Sequence, residues 1–259
     1  MSGRRDEPRI LTVADPAAAF DLAGSHVAAA LASAVAARGV AHWATTGGSA
    51  APGIYRALVG ASLRDAVPWQ DVHVWWGDDR FVPRDHPLSN VKPLDDLLRG
   101  LVPLKPDHLH PIRMTEAISA EHDPAWAADA LTADLRAVDL SLAHGLPVLD
   151  LVVLGVGGDG HVLSVFPGSA AFDASPDAWG LPIPAPVHIE PHVERVTMHP
   201  GIVRVARDVL IVATGESKAD VLADVLGAER DERRWPAQLA LHERSTWILD
   251  EAAAARLPR

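Results

Sequence analysis

Four short polar or glycine-rich segments carry the residues best suited to chemistry, and each follows a predicted strand. They are Gly47-Gly48-Ser49, Asp78-Asp79-Arg80, Gly157-Gly158-Asp159-Gly160-His161 and Gly215-Glu216-Ser217-Lys218. Ligands of open α/β sheets bind outside the carboxyl ends of the strands. We therefore expect the four segments to surround one ligand site.

Asp159-Gly160-His161 is the segment best suited to catalysis, because imidazole exchanges a proton near neutral pH. It follows an apolar strand and lies among glycines that free the backbone. We predict that His161 is a catalytic residue and that Asp159 orients it or contacts the substrate. A purely structural, hydrogen-bonded role is the better interpretation for most of the 13 histidines.

The same glycine run, residues 155–160, also satisfies the G-x-G-x-x-G fingerprint of dinucleotide-binding proteins. Its context argues against that function. The following helix would be cut at Pro167, and no acidic strand end lies about 20 residues further on. We therefore predict no dinucleotide cofactor.

Several residues could bind an anion. Gly47-Gly48-Ser49 is typical of a turn whose backbone N–H groups face an anion at a helix N-terminus, although a tight turn with Ser49 as N-cap fits equally well. Lys218 lies in the first turn of a predicted helix, where a cation is disfavoured unless an anion is bound; a solvated lysine is the alternative. Arg80 and Arg195 lie near strand ends, and Arg80 could instead pair with the two acids before it.

The composition excludes several other classes of protein. The chain has 259 residues and no cysteine, which rules out disulfides, thiolate metal sites and a cysteine nucleophile. The 23 basic and 34 acidic residues give a net charge of −11, which argues against nucleic-acid binding. No apolar run approaches about 18 residues and no export signal is recognisable, so we expect a cytoplasmic protein without a membrane span.

Metal and serine-hydrolase sites are also weakly supported. The sequence has neither a His-Glu-x-x-His motif nor a Gly-x-Ser-x-Gly elbow. The pair His108 and His110 has Asp107 as its one nearby carboxylate. His188 and His192 are four residues apart, but Pro191 prevents a helix there. We predict no metal site.

Alternating helices and strands must position these segments. The longest predicted helix runs from Pro16 to Arg38, between Asp15 as N-cap and Gly39 as C-cap. Strands are predicted at residues 40–46, 72–76, 149–154, 187–190, 194–198, 208–213 and 245–249. Further helices are predicted at residues 90–98, 124–140, 215–226 and 236–242, around Tyr55, and near the C-terminus. A polar loop is predicted at residues 78–89. This alternation predicts one α/β domain over residues 9–259, with a largely parallel sheet and eight loose residues before it.

Together the motifs resemble the 6-phosphogluconolactonase family, in order and over nearly the whole chain. The family's motifs resemble residues 47–52, Asp78-Asp79-Arg80-Phe81-Val82-Pro83 with Ser89-Asn90, residues 157–161 with 164–168, Arg195-Val196-Thr197, and residues 215–218. The chain departs from the family pattern at Ala50, Asp79, Val162 and Leu163, where the family usually has threonine, glutamate and two small or hydroxyl residues.

The resemblance implies an enzyme without cofactor that hydrolyses 6-phospho-D-glucono-1,5-lactone to 6-phospho-D-gluconate in the oxidative pentose phosphate pathway. It implies a Rossmann-like sheet with helices on both faces, as in ribose-5-phosphate isomerases and glucosamine-6-phosphate deaminases. It also implies that His161 assists the attack of water, with Asp159 beside it. The implied substrate-binding residues are Gly47, Gly48, Ser49, Asp78, Arg80, Asn90, Arg195 and Lys218.

Two other functions stay open at this point. A glucosamine-6-phosphate deaminase shares the glycine turn, the Asp-Gly-His motif and the lysine, but Ser89-Asn90 and Phe166-Pro167-Gly168 favour the lactonase. A non-catalytic sugar-phosphate-binding protein is the second alternative. We expect no DNA-binding helix-turn-helix before the first strand, and the sequence does not specify an oligomeric state.

Overall fold

A computed structural model describes residues 7–258, in which twelve strands and eight α-helices are present. The strands are β1 (Arg9–Val13), β2 (Ala41–Thr45), β3 (Val72–Trp76), β4 (Asp78–Arg80), β5 (Leu109–His110), β6 (Leu142–Ala143), β7 (Leu146–Pro147), β8 (Leu151–Leu154), β9 (Gly180–Ile183), β10 (Arg195–Met198), β11 (Val209–Ala213) and β12 (Ser245–Asp250). The helices are α1 (Pro16–Arg38), α2 (Ala50–Val59), α3 (Ala61–Arg64), α4 (Lys92–Leu97), α5 (Met114–Ser119), α6 (Pro124–Arg136), α7 (Gly201–Val205) and α8 (Ala219–Gly227). The predicted loose segment before Arg9 lies mostly outside the described residues.

Seven strands form one parallel sheet in the order β1-β12-β11-β8-β2-β3-β5. The chain builds outward from β2 through β3 to β5 and then returns to the other side of β2 with β8. The strand order therefore reverses between β2 and β8. Such a reversal opens a crevice at the carboxyl ends of the two strands, which is where ligands of these sheets bind.

Both faces of the parallel sheet are covered by helices, which confirms the predicted fold class. Trp43 and Trp76 face α1 and α2 in one core, and Trp75 and Trp247 face α6, α7 and α8 in the other. All four indole side chains are fully buried. Burial of a large apolar side chain contributes roughly 1.5–3 kcal/mol, so these two layers hold the strand ends in a fixed frame.

Helix α1 begins and ends where the sequence predicts. The Asp15 carboxylate accepts a hydrogen bond of 2.9 Å from the Ala18 N–H, and Gly39 closes the helix in the left-handed region at φ 77°. The helix is long and apolar enough by composition to cross a membrane. Its buried side, which includes Val27 and Leu31, instead packs against the sheet and α2 as part of a core.

A second, antiparallel sheet of order β4-β10-β9 lies at the carboxyl ends of the main strands. The prediction of a loop over residues 78–89 is wrong for the first three, which form β4 and pair with β10. Aspartate has low intrinsic preference for strands, so tertiary pairing decides the structure there. Strand β9 was not predicted, because Pro182 interrupts its pattern.

Two other predicted elements are wrong. Residues 187–190 alternate like a strand, but prolines at 184, 186 and 191 surround them and they form an irregular loop. The alanine-rich segment after β12 forms consecutive turns over residues 251–256 and not a helix. The helix predicted for residues 124–140 ends at Arg136.

Candidate active site

A pocket of about 240 Å³ lies at the crevice between β2 and β8. Nine of the ten residues predicted to form the site line it: Gly47, Gly48, Ser49, Asp78, Arg80, Asn90, His161, Arg195 and Lys218. The tenth, Asp159, contacts His161 and does not line the pocket. The structure thus brings together residues that are up to 171 positions apart in the chain, from Gly47 to Lys218.

His161 is held by Asp159. Its Nδ1 lies 2.5 Å from Asp159 Oδ1, and its backbone N–H donates to the same oxygen at 3.2 Å. Partial burial alone would raise the pKa of Asp159, but the hydrogen bonds from His161 and His188 bring that pKa well below its ordinary value. An ionised carboxylate only accepts hydrogen bonds, so Nδ1 of His161 is the donor in this contact.

Gly157 is required by the position of the His161 ring. A β-carbon added at Gly157 would lie 2.0 Å from Nδ1 of His161, a distance that no side chain tolerates. The neighbouring Gly158 has no atom within 4 Å of the same added carbon. The absence of a side chain at Gly157 therefore makes room for the His161 ring, which gives the glycine run a role other than dinucleotide binding.

Two arginines stand side by side on the wall of the pocket. Arg80 of β4 and Arg195 of β10 are directly opposite each other in antiparallel register, which points their side chains to the same face. The Nε atoms of both are buried and have no hydrogen-bond partner. Two adjacent guanidinium groups with unused donors favour the binding of an anion between them.

The remaining bonds of the arginines fix them in place. Arg80 donates from Nη1 to the Leu88 carbonyl at 2.9 Å and to Asn90 Oδ1 at 2.8 Å. Arg195 donates to the Pro191 carbonyl at 3.2 Å and lies over the Phe166 ring. Burial lowers the pKa of Arg195, and the nearby Arg80 adds to this effect against the attraction of Asp78. Within residues 7–258, Arg80 forms no ion pair with the two acids that precede it.

Asp79 and Asn90 brace the glycine turn after β2. Asp79 accepts hydrogen bonds from the backbone N–H groups of Arg80 and Asn90, at 2.8 and 2.7 Å, and from the Ser89 hydroxyl. Burial nevertheless raises the pKa of Asp79 to about 7. Asn90 donates to the Asp78 carbonyl at 2.8 Å, and its side chain fills the space that a β-carbon at Gly47 would need. The aspartate that departs from the family pattern is thus a structural brace.

Lys218 and Leu163 also line the pocket. Lys218 ends a short 3-10 turn immediately before α8. Partial burial lowers the pKa of its amine, against the attraction of Asp159. Leu163 has a left-handed φ of 55°, a conformation uncommon for a leucine, and its side chain lines the pocket. Ser164 beside it donates to Asp78 Oδ2 at 2.5 Å.

Sequence reasoning missed His188, which lies on the loop before β10. Its Nε2 is 2.8 Å from Asp159 Oδ2, so that Asp159 is held between two histidines. No local sequence pattern links His188 to Asp159, because the two residues are 29 positions apart and His188 lies on an irregular loop. Among residues 7–258, no group of three or more histidine, aspartate or glutamate side chains could hold a metal ion.

The pocket brings a histidine that could accept a proton, His161, into the same space as the positively charged Arg80, Arg195 and Lys218. A histidine base oriented by a carboxylate can activate water for attack on a carbonyl carbon. Buried arginines and glycine N–H groups can hold a phosphate or stabilise an oxyanion. The site therefore suits hydrolysis of an ester that carries a phosphate group.

Comparison with known proteins points the same way. A sequence profile described as glucosamine-6-phosphate isomerases/6-phosphogluconolactonase matches residues 14–249. The 6-phosphogluconolactonase of Streptomyces coelicolor is 31% identical over 259 residues, which cover 98% of this chain and 96% of that protein. The 6-phosphogluconolactonase of Mycobacterium leprae is 32% identical over 241 residues, which cover 91% of this chain and 93% of that protein.

Solved structures agree in fold. The 6-phosphogluconolactonase of Trypanosoma cruzi superimposes with a TM-score of 0.81 at 26% identity, covering 100% of this chain and 99% of that one. A monomeric glucosamine-6-phosphate deaminase gives a TM-score of 0.77 at 16% identity, covering 96% of this chain and 99% of that one. The 16% identity to the deaminase shows a shared fold and nothing about the reaction.

Proposed function

Because the chain belongs to the family of glucosamine-6-phosphate isomerases and 6-phosphogluconolactonases, we propose that His161 is the general base with which its pocket opens a phosphorylated lactone. The enzyme is a lactone hydrolase that converts 6-phospho-D-glucono-1,5-lactone to 6-phospho-D-gluconate, a step of the oxidative pentose phosphate pathway. The single observation that carries the proposed mechanism is the contact of 2.5 Å between His161 Nδ1 and Asp159 Oδ1 at the crevice of the sheet.

In the proposed reaction, Nε2 of His161 takes a proton from a water molecule as the water oxygen bonds to the lactone carbonyl carbon. The carbonyl oxygen then carries a negative charge in a tetrahedral intermediate. When this intermediate collapses, the bond from the carbonyl carbon to the ring oxygen breaks. The ring oxygen takes the proton from His161 and becomes a hydroxyl group, while the new carboxylic acid ionises.

The anion-binding residues divide between the phosphate and the oxyanion. The N–H groups of Gly47 and Gly48, together with Arg80, Arg195 and Lys218, supply the positive field. Support comes from the unpartnered Nε atoms of the two arginines and from their adjacent register. Ser49, Asn90 and Asp78 line the same pocket and face the sugar hydroxyls in this proposal.

The experiment that tests the role of His161 compares lactone disappearance with spontaneous hydrolysis for the wild type and for His161→Ala. We expect the variant to lose activity by about 10²–10⁴-fold while it stays folded, since this is the range that general acid–base catalysis contributes. Near-normal activity of His161→Ala would show that another group is the base.

Lys218 tests the phosphate part of the proposal. We expect Lys218→Ala to raise KM about tenfold or more with a smaller change in kcat, because a charge-assisted contact to bound phosphate is lost. Glu216→Ala, an exposed change in the same 3-10 turn, is the matched control and should leave KM unchanged. An unchanged KM for Lys218→Ala would remove this lysine from the phosphate site.

The conversion of glucosamine 6-phosphate is the alternative activity, because the matching profile also describes glucosamine-6-phosphate isomerases. Release of ammonia from glucosamine 6-phosphate at a rate above that of lactone opening would favour it. Binding of 6-phosphogluconate without lactone hydrolysis would indicate a sugar-phosphate-binding protein.

We also propose that the enzyme acts in the cytoplasm on its phosphosugar alone, without nucleic-acid or membrane partners. The net charge of −11 and the packing of α1 within a core support this proposal.

A further inference from the structure

His188 lies on a proline-rich loop over residues 184–192 that crosses the rim of the pocket. Val187 on this loop is 91% exposed, whereas the neighbouring Ile189 lines the pocket. The loop makes two polar contacts through its histidines. His188 Nε2 lies 2.8 Å from Asp159 Oδ2, and His192 Nδ1 lies 2.7 Å from the Pro186 carbonyl within the loop itself.

The contact with His188 gives the second oxygen of the Asp159 carboxylate a hydrogen-bond partner. Oδ1 accepts from His161 and Oδ2 accepts from His188, so that both carboxylate oxygens have a histidine donor. Both hydrogen bonds from His161 go to one oxygen, Oδ1. The terminal torsion of aspartate is broad, so bonds to a single oxygen restrict its rotation less than bonds to both. A donor on the other oxygen restricts rotation of the Asp159 carboxylate. The carboxylate then holds the His161 ring in one orientation.

The surroundings of His188 favour an oriented ring. Its imidazole meets the Phe166 ring edge to face, with centroids 5.7 Å apart, and the same Phe166 ring lies 4.7 Å from the His161 centroid. Phe166 therefore separates the two imidazoles while Asp159 joins them. The side chain of His188 is 48% exposed, so water competes for the contact and its effect is smaller than that of Asp159 itself.

We propose that His188 is a positioning residue of the active site, which donates from Nε2 to Asp159 Oδ2 and so holds the carboxylate that orients His161. This inference rests on the proposed function of His161 as the base. It extends the catalytic pair to a chain of three side chains, His161, Asp159 and His188, that spans from the pocket to the outer loop.

Three variants test this role by steady-state lactone hydrolysis. His188→Phe removes the donor and keeps an aromatic ring, and we expect it to lower kcat about three- to tenfold with KM changed less than about twofold. His188→Gln restores a nitrogen donor at a similar reach, and we expect its kcat to return to within about twofold of the wild type. His192→Phe alters the same loop without touching Asp159, and we expect wild-type kinetics.

The outcomes separate the inference from simpler explanations. The inference is overturned by wild-type kcat in His188→Phe, by a loss in His188→Gln as large as in His188→Phe, or by an equal loss in His192→Phe, which would assign the effect to loop order. Loss confined to KM would assign His188 to substrate binding and would also overturn it. If His161→Ala keeps its activity, the proposed function fails; if His161→Ala is inactive and His188→Phe is fully active, only the inference on His188 fails.

Discussion

Two groups of histidines in this enzyme have opposite surroundings. The pocket pair, His161 and His188, share the carboxylate of Asp159 at the carboxyl ends of the strands. The edge cluster is a group of four at the β2, β3 and β5 side of the sheet: His42, His73, His108 and His110. In the edge cluster the rings contact one another, whereas in the pocket pair a charged acid lies between them.

Stacking dominates the edge cluster. The His73 ring lies 3.8 Å from that of His108 and 4.8 Å from that of His42, and His110 stacks on Trp75 at 3.9 Å. His73 Nδ1 also lies 2.8 Å from His110 Nε2. Burial, reinforced by the neighbouring histidines, lowers the pKa of His73 to about 3 and that of His110 to about 4.

The two groups differ in their partners, because a carboxylate contacts His161 whereas other aromatic rings surround the edge histidines. Asp150, an acid near the edge cluster, accepts from the backbone N–H of His42 and not from an imidazole. Lowered pKa values keep His73 and His110 neutral at pH 7, and their rings pack as flat surfaces. His161 differs because its ring contacts the carboxylate of Asp159, which can hold the ring in one orientation.

The largest effect expected from this comparison is a split in activity between the two groups. His161→Asn should lower kcat by about 10²–10⁴-fold, because the amide cannot take a proton. His110→Gln, in the edge cluster, should keep kcat within about twofold. Lactonase assays on both purified variants measure the two kcat values. Comparable losses in the two variants would show that the pocket pair and the edge cluster do not differ in their importance for activity.

A smaller but still large effect should follow from displacing the base without removing it. Gly157→Ala places a β-carbon on the His161 ring, and misplacement by about 1 Å costs on the order of 10²-fold in rate. Gly158→Ala is the matched control, because the space there is open and the position is exposed. We expect the control to have wild-type kcat; equal activity of the two variants would mean that the loop moves freely enough to absorb the clash.

The smallest effect concerns stability in acid. The pKa values of His73 and His110 are lower in the folded protein than the ordinary 6.5, so below pH 6.5 the unfolded chain binds more protons than the folded one. Their contribution to stability is complete above pH 6.5, decreases as the pH falls below 6.5, and is fully lost below about 4 for His110 and about 3 for His73. Each such proton makes the free energy of unfolding fall by about 1.4 kcal/mol per pH unit.

Urea unfolding between pH 7.5 and 4.5 measures this slope. We expect His73→Gln to have a shallower pH dependence than the wild type, even if the variant is less stable at neutral pH. His122→Gln, at an exposed histidine outside both groups, should keep the wild-type slope. A slope that His73→Gln leaves unchanged would mean that other groups cause the acid sensitivity.

Local signals in the sequence predicted the parts of the fold that local physics determines. Asp15, Pro16 and Gly39 predicted α1 because capping and left-handed backbone are properties of single residues. The strand ends were predictable because apolar runs end in glycine there. Strand β4 and the loop that holds His188 were not, because pairing with β10 and three surrounding prolines decided their conformation.

The site was predictable in its residue types but not in its contacts. His161, Asp159 and the arginines carried a recognisable motif order. The register that places Arg80 opposite Arg195 depends on a strand that the sequence did not indicate. The second partner of Asp159 lies 29 positions further along, on a loop whose course no local pattern defines.

The loop over residues 184–192 has an exposed position at which a fluorescent label could be attached. The chain contains no cysteine, so Val187→Cys would introduce its sole thiol at a position where the native side chain is 91% exposed. A fluorophore attached there needs no background mutations, and it would sit one residue from His188 and two from the pocket-lining Ile189. A change in the fluorescence of the label during titration with 6-phosphogluconate would report movement of this loop in solution. The measurement would not depend on turnover.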